Sequence, residues 1–289
     1  MHPALLGPAL LDPALLYAQL HCGNPGDVAH YVEVCEGATS ALELGSGAGR
    51  ITLPLAARGL DVTGLELSET LAALAQRKIQ GEPAELQRRV TWCAGDMRRM
   101  DLGRTFDRIL LPYNGLYCLG GLRGALACFE RAAAHLKPGG ELWLDVYVAD
   151  AFHDEAPLDD ELDQLLDGPP PAPSSDASAA GTPPAPGPVS SDSEPVAEVE
   201  VIGQRLRVFE DTRWDRDEQR LEVSYRFLDD EGREAARQEL VHNYLLVPEI
   251  VLLLDEVGLE VIRCSGGFAR EPYDDDAELF VLGARRPSL

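Results

Sequence analysis

Three glycines at alternate positions decide most of what this chain can become. In Ala41-Leu42-Glu43-Leu44-Gly45-Ser46-Gly47-Ala48-Gly49-Arg50 a short strand-like run breaks into glycines, and helical spacing follows from Ile51 to Arg58. Glycine lets backbone come close to a ligand at such a turn. The helix after it aims unpaired N–H groups at whatever lies there. This run therefore predicts a strand–turn–helix unit with a ligand at its apex.

The same rhythm repeats downstream. Asp61–Leu65, Val90–Cys93, Phe106–Leu111 and Glu141–Tyr147 read as further strands. Ser68 can cap a helix over Glu69–Ile79, and Leu122–Leu136 is a helix stopped by Lys137-Pro138-Gly139-Gly140. Strands alternating with helices predict a parallel sheet covered on both faces, and right-handed crossovers make it doubly wound. The ligand crevice then lies at the carboxyl ends of the strands. Residues 1–37 read as an N-terminal helical cap, punctuated by Pro3, Pro8 and Pro13. The ligand-binding α/β domain is expected over 38–150.

After Tyr147 the rhythm stops. Residues 151–200 hold 12 Asp and Glu and no Lys or Arg, and Gly168–Ser190 holds eight prolines in 23 residues. Such a stretch buries too little apolar surface to order itself, so 151–195 is read as an acidic, Pro-rich linker. Val196–Asp211, Arg220–Leu228 and Ala236–Leu246 then read as three strands of an antiparallel meander, inserted over 196–247. A helix over Pro248–Val257 and strands over Leu259–Cys264 and Glu278–Arg285 return the chain to the first domain, over 248–289.

Two common uses of a glycine loop fail here. A P-loop needs lysine and a hydroxyl after its last glycine, where this chain has Arg50 and Ile51. A dinucleotide fingerprint needs a small residue at its sixth position, again Arg50. The remaining pattern, acidic-x-G-x-G-x-G, resembles the class I S-adenosylmethionine-dependent methyltransferases, of the small-molecule type similar to glycine and sugar-amine N-methyltransferases. Further matches follow in order: Gly64-Leu65-Glu66-Leu67-Ser68, Ala94-Gly95-Asp96-Met97, Phe106 to Asn114, and Leu136-Lys137-Pro138-Gly139-Gly140. The resemblance covers about residues 38–148 and resumes after 248. It implies an α/β fold, doubly wound, with a mostly parallel Rossmann-like seven-stranded sheet and the inserted antiparallel β-meander.

The resemblance also implies site roles. Backbone around Gly45 and Gly47 would meet the ammonium and carboxylate of S-adenosylmethionine, with Glu43, Ser46, Gly49 and Arg50 as further cofactor contacts; a surface position for Arg50 stays open. Glu66 and Leu67 would take its ribose, and Asp96 and Met97 its adenine. Leu111 and Tyr31 complete the expected cofactor contacts, and Tyr17 covers the cofactor although Ala18 replaces the aspartate usual after it. Tyr113, Asn114 and Tyr117, with Tyr17, are the expected residues at the methyl. The meander resembles the platform that roofs an acceptor pocket or pairs subunits, so Trp214, Tyr225, Phe268 and Tyr273 are further pocket candidates and a homodimer through that region is expected.

Charge bears on partners. Lys and Arg number 25 against 49 Asp and Glu, a net charge of −24. That field repels phosphate backbones and anionic lipid, so nucleic-acid and membrane partners are not expected. No apolar run approaches a membrane span, and the start lacks a basic leader. Six cysteines without a C-x-x-C pair are expected to stay reduced, in the cytoplasm. The six histidines lack ligand spacing, so no metal is expected; His153 lies in an acidic run and His242 reads as a satisfied sheet histidine. The expected function is methyl transfer to a small-molecule amine or hydroxyl. A non-catalytic S-adenosylmethionine-binding or interaction protein and a protein methyltransferase stay open as alternatives.

Overall fold

A computed structural model describes residues 11–150, 153, 194–274 and 276–288. Pro3, Pro8 and the stretch Gly168–Ser190 lie outside the described residues. In chain order α1 (Pro13–Leu20) and α2 (Asp27–Val34) precede β1 (Ser40–Leu44), and α3 (Thr52–Ala57) leads to β2 (Asp61–Glu66). Then come α4 (Glu69–Gln80), α5 (Ala84–Arg89), β3 (Val90–Ala94) and β4 (Phe106–Leu111). A 3₁₀ turn over Gly115–Leu119, α6 (Leu122–His135) and β5 (Leu136–Tyr147) follow. The insertion supplies β6 (Ala197–Val201), β7 (Gln204–Asp215), β8 (Arg220–Leu228) and β9 (Glu234–Asn243). The helix Val247–Glu256, named α7 here, β10 (Glu260–Ser265) and β11 (Leu279–Arg285) close the chain.

The main sheet has seven strands in the order β10-β11-β5-β4-β1-β2-β3. β11 runs antiparallel to β5 and β10, and the remaining pairs are parallel. β1 is buried along its length, as a central parallel strand is when helices cover both faces. It pairs with β2 on one side and β4 on the other, so the crossovers diverge at β1 and open a crevice at its carboxyl end. The local devices are those of the sequence. Ser68 Oγ accepts the Leu71 N–H at the start of α4, and Asp12 Oδ1 accepts the Ala14 N–H at the start of α1.

The insertion is a four-stranded antiparallel sheet, ordered β6-β7-β8-β9. The stretch Val196–Asp211, read as one strand, is in fact a hairpin. Ile202 (φ 53°) and Gly203 (φ 73°) form its two-residue turn between Val201 and Gln204. Two left-handed residues match the twist of the strands, but isoleucine is rare there, so the turn carried no signal. The four residues Lys137–Gly140 do not merely end α6. They lie within β5 as an outlooped segment, because Phe106 pairs with Leu136 and Arg108 with Glu141. α5 was also not foreseen; none of its residues is buried, so it has no apolar stripe to read.

The inserted sheet packs by one face. Val199, Val201, Leu206, Val208 and Phe227 cluster with Leu16 of α1, while Leu221 and Val223 join the main core with Tyr244 and Leu245. Glu249 ties this sheet to α7, accepting the Leu246 N–H at 2.6 Å and Gln219 Nε2 at 2.9 Å. Among the described residues no helix is long and apolar enough to cross a membrane.

One carboxylate fastens the other end of the sheet. Asp107 Oδ2 accepts both the N–H and the hydroxyl of Thr39 and of Ser40, and Oδ1 accepts Lys137 Nζ at 2.8 Å. Burial works against this charge, yet the hydrogen bonds from Lys137, Thr39 and Ser40 outweigh it and hold the carboxyl well below the usual range. Asp107→Ala should therefore cost about 2–3 kcal/mol in a urea titration at pH 7, since it strands backbone donors at the start of β1. Because the folded pKa is depressed, the wild type's margin over the variant should shrink as pH falls below about 4.

Candidate functional site

A cavity of about 850 Å³ opens where the carboxyl ends of β1, β2, β3 and β4 meet α1. Its floor is the glycine loop. Gly45, Gly47 and Gly49 all have left-handed φ, at 69°, 52° and 82°, which only glycine adopts without strain. The N–H groups of Gly45 and Ser46 both donate to Leu65 O, at 2.9 and 3.0 Å, binding the loop to the end of β2. Trp92 packs under it, so that a Cβ on Gly49 would lie 2.9 Å, and one on Gly64 2.6 Å, from the indole ring.

Acids stand around this floor. Glu66 ends β2; its Oε2 accepts the Gly47 N–H at 2.7 Å and its Oε1 accepts the Ser68 N–H at 2.8 Å. Glu43 is buried on β1, where Thr52 Oγ1 donates to it. Burial pushes its carboxyl up to about 8, against the opposing pull of Thr52 and Arg50. Asp96 is paired more fully than its resemblance role implies, since Arg98 grips both its oxygens at 2.7 to 3.0 Å. Burial opposes that charge, but the bonds and charge of Arg98 hold the carboxyl below its usual range.

The opposite wall is aromatic. Tyr17 and His21 of the cap pack at a tilt of 42° with ring centroids 4.2 Å apart, and His21 meets Tyr113 at 6.1 Å and Tyr225 of β8 at 5.5 Å. Burial lowers the His21 imidazole to about 4, so it is neutral at pH 7. The phenols of Tyr17 and Tyr113 are pushed up by burial and are likewise neutral. Tyr113 and Asn114 both adopt left-handed φ, 56° and 58°. Asp145 of β5 holds them there: its Oδ1 accepts the Tyr113 N–H at 2.9 Å and its carbonyl accepts the Asn114 N–H at 3.0 Å.

Of the residues picked from sequence, Tyr17, Glu43, Gly45, Ser46, Gly47, Gly49, Arg50, Glu66, Leu67, Asp96, Met97 and Tyr113 all line this cavity. Four expected contacts lie elsewhere, and one of them, Tyr117, is buried in the main core with its hydroxyl donating to Tyr147 O and Leu245 O. Tyr31 is wholly buried and donates its hydroxyl to Asp145 Oδ1. Leu111 is wholly buried in the main core. Asn114 turns away, its Oδ1 accepting the Tyr147 N–H at 2.7 Å, so it holds the turn instead of facing the cavity. Phe268 packs against His30, and Tyr273 against Phe280. Trp214 and His242 stand over Tyr147, at 6.4 and 5.7 Å between ring centroids. His242 is not satisfied as expected, for its buried Nδ1 has no hydrogen-bond partner among the described residues. His153 Nδ1 sits 3.3 Å from the Tyr244 hydroxyl.

Sequence reasoning missed His21, Cys22, Lys78 and Cys118 on the cavity wall, and Asp27 and Asp145 behind it. None of them belongs to a motif; only the fold brings them there. All six cysteines are unpaired.

The wall suits an adenosine-bearing zwitterion. Ser46 Oγ is buried without a hydrogen-bond partner among the described residues. A Cβ on Gly47 would meet nothing within 4 Å, so open space lies over the loop. Of the two carboxylates on the wall, Glu66 of β2 accepts one N–H on each oxygen, whereas both oxygens of Asp96 are held by Arg98.

Comparison with known proteins agrees. A family model described as a methyltransferase domain matches residues 41–140. Over 103 residues the chain is 35% identical to the dTDP-3-amino-3,6-dideoxy-alpha-D-glucopyranose N,N-dimethyltransferase of Streptomyces fradiae, covering 36% of this chain and 37% of that protein. The chain spans half or less of the length of the curated relatives it matches. The structure of the CcbJ methyltransferase from Streptomyces caelestis superposes with a TM-score of 0.69 at 22% identity, covering 92% of both chains. SAM-bound CalS10, an amino pentose methyltransferase from Micromonospora echinaspora, gives 0.59 at 22% identity, covering 99% of this chain and 100% of that one. At such identities the two structures speak to the fold. Residues 41–140 thus match the model of a methyltransferase domain, and the sheet that carries the glycine loop has the fold of these methyltransferase structures.

Proposed function

We propose that this chain moves a methyl group from S-adenosylmethionine to a small-molecule acceptor, an amine or a hydroxyl, by in-line displacement. The observation that carries this reading is a cavity lined both by the glycine loop, Glu66 and Asp96 and by the neutral rings of Tyr17, His21 and Tyr113. When bound, the cofactor supplies a methyl group on a positively charged sulfur.

The chain's own residues then have three tasks. Glu66, Asp96 and the loop bind and orient the donor. Tyr113, held in its strained turn by Asp145 and Asn114, sets the floor on which the acceptor aligns. Tyr17, His21 and the inserted sheet exclude water. An amine needs no strong base, whereas a hydroxyl does. A His21 lowered to about 4 is a weak base, which favours the amine. The amino-sugar substrate named for the Streptomyces fradiae relative points the same way.

The test supplies methyl-labelled S-adenosylmethionine with a panel of small primary and secondary amines and matched alcohols. The expected result is label in amines, with one S-adenosylhomocysteine formed per methyl transferred. Cofactor binding with no transfer to any acceptor would leave the non-catalytic reading. Label found only in added protein would make this a protein methyltransferase.

A further inference from the structure

The inserted sheet joins the main one through two segments, residues 147–150 on the way out and 244–247 on the way back. One side chain holds both. Tyr117 is wholly buried, and its hydroxyl donates to Tyr147 O at 2.9 Å and to Leu245 O at 3.0 Å. A phenol has one proton to give, so the two carbonyls share it and must stay within reach of the same oxygen. Asn114 fixes the outgoing segment as well, its Oδ1 accepting the Tyr147 N–H at 2.7 Å. A second tie joins the same two segments: the Asp150 carboxylate accepts the Val247 N–H at 3.1 Å.

Tyr117 belongs to a turn that borders the cavity. Gly115, Cys118 and Leu119 of that 3₁₀ turn line the cavity, while the Tyr117 ring meets Tyr147 edge-on at 4.9 Å and His242 of β9 at 6.1 Å. The insertion reaches the same cavity from the other side. Leu221 and Val223 of β8 enter the main core, and Tyr225, on the same face of that strand, meets His21 of the cavity wall at 5.5 Å. A shift of the insertion about its base therefore moves Tyr225 against His21. Apolar packing tolerates such a shift, because it is non-directional. A hydrogen bond does not, because it weakens steeply away from its preferred length and angle.

We propose that Tyr117 is a positioning residue: its hydroxyl pins both ends of the insertion to the turn beside the cavity and so sets the wall against which the acceptor is held. This rests on the methyl-transfer reading above. It gives control over acceptor alignment to a side chain that lies in the main core.

The test compares wild type with Tyr117→Phe, which keeps the ring and removes only the hydroxyl. Two quantities are measured at 25 °C on the full chain. One is the dissociation constant for S-adenosylhomocysteine, by calorimetric titration. The other is kcat/KM for the panel acceptor that wild type methylates fastest. In Tyr117→Phe kcat/KM should fall by about 10- to 100-fold, the upper figure being the loss that a misplacement of about 1 Å brings. The dissociation constant should stay within about twofold of wild type. Asp150→Ala, which removes the second tie and leaves Tyr117 in place, should show the same split with a smaller loss, and it carries the test should Tyr117→Phe fail to fold. A lower melting temperature with both quantities unchanged would mean that the hydroxyl only supports the fold, and an equal loss in both would mean that it shapes the cofactor site; either overturns the proposal. Wild-type protein that binds S-adenosylhomocysteine but methylates no acceptor would instead overturn the transfer reading on which the proposal rests.

Discussion

Glu66→Ala should raise the dissociation constant for S-adenosylmethionine by about 100-fold or more, since two charged hydrogen bonds to the ribose would each be worth about 1.5–3 kcal/mol. The reason is that one carboxylate performs two duties. Its two oxygens already accept the N–H groups of Gly47 and Ser68, which sets the glycine loop against the start of α4. Lone pairs left over face the cavity, where a ribose presents two hydroxyls. Alanine would strand both N–H groups and lose the ribose at once, so the melting temperature should fall with the affinity. Glu66→Gln keeps only one acceptor oxygen and should sit between the two. Calorimetric titration gives the affinities, and an alanine variant that binds as tightly as wild type would remove Glu66 from the ribose site.

Glu43→Gln should leave stability within about 1 kcal/mol of wild type at pH 4 and raise it by roughly 3–5 kcal/mol at pH 9. Burial is the main cause, pushing the folded carboxyl up to about 8, while in the unfolded chain it ionises near 4.3. Between those values the folded state holds a proton that the unfolded state has released. The contribution of Glu43 to stability is thus complete below about pH 4 and is lost as pH rises through about 8. Glutamine copies the protonated form and does not titrate, so the gap between the two proteins opens with pH. Urea midpoints measured from pH 4 to 9 give the curve. A gap that is constant with pH, or a glutamine variant weaker at pH 9, would show Glu43 ionised and compensated in the folded chain.

Much of the architecture was legible because its signals are local. The alternation of apolar runs with capped helices places β1 to β5 within a few residues, and Ser68 caps α4 as its position in the sequence predicts. The glycine loop was legible because left-handed backbone at Gly45, Gly47 and Gly49 demands that residue type. Where the local signal was weak, the reading failed. The turn at Ile202-Gly203 places a β-branched residue where glycine or asparagine is usual, and α5 has no buried face to give it a period. The site was half legible. Glu66 and Asp96 follow strands in recognisable order, but Tyr31 and Leu111, also near strand ends, turn into the core.

The amino-acid sequence by itself determined the order of strands and helices, the glycine turn, the insertion and the acids that end β2 and follow β3. Each of these depends on residues within a few positions of one another, where sterics and hydrophobic period act directly. Only the tertiary structure decided which side chains share the cavity. Tyr31 meets Asp145 across 114 positions, and Arg50 meets Asp27 across 23. His21 reaches Tyr225 only because α1 is wedged between the inserted sheet and α4. Such contacts leave no periodic trace in the chain. They are set by how preformed elements pack to bury their apolar faces, which is a property of the whole fold.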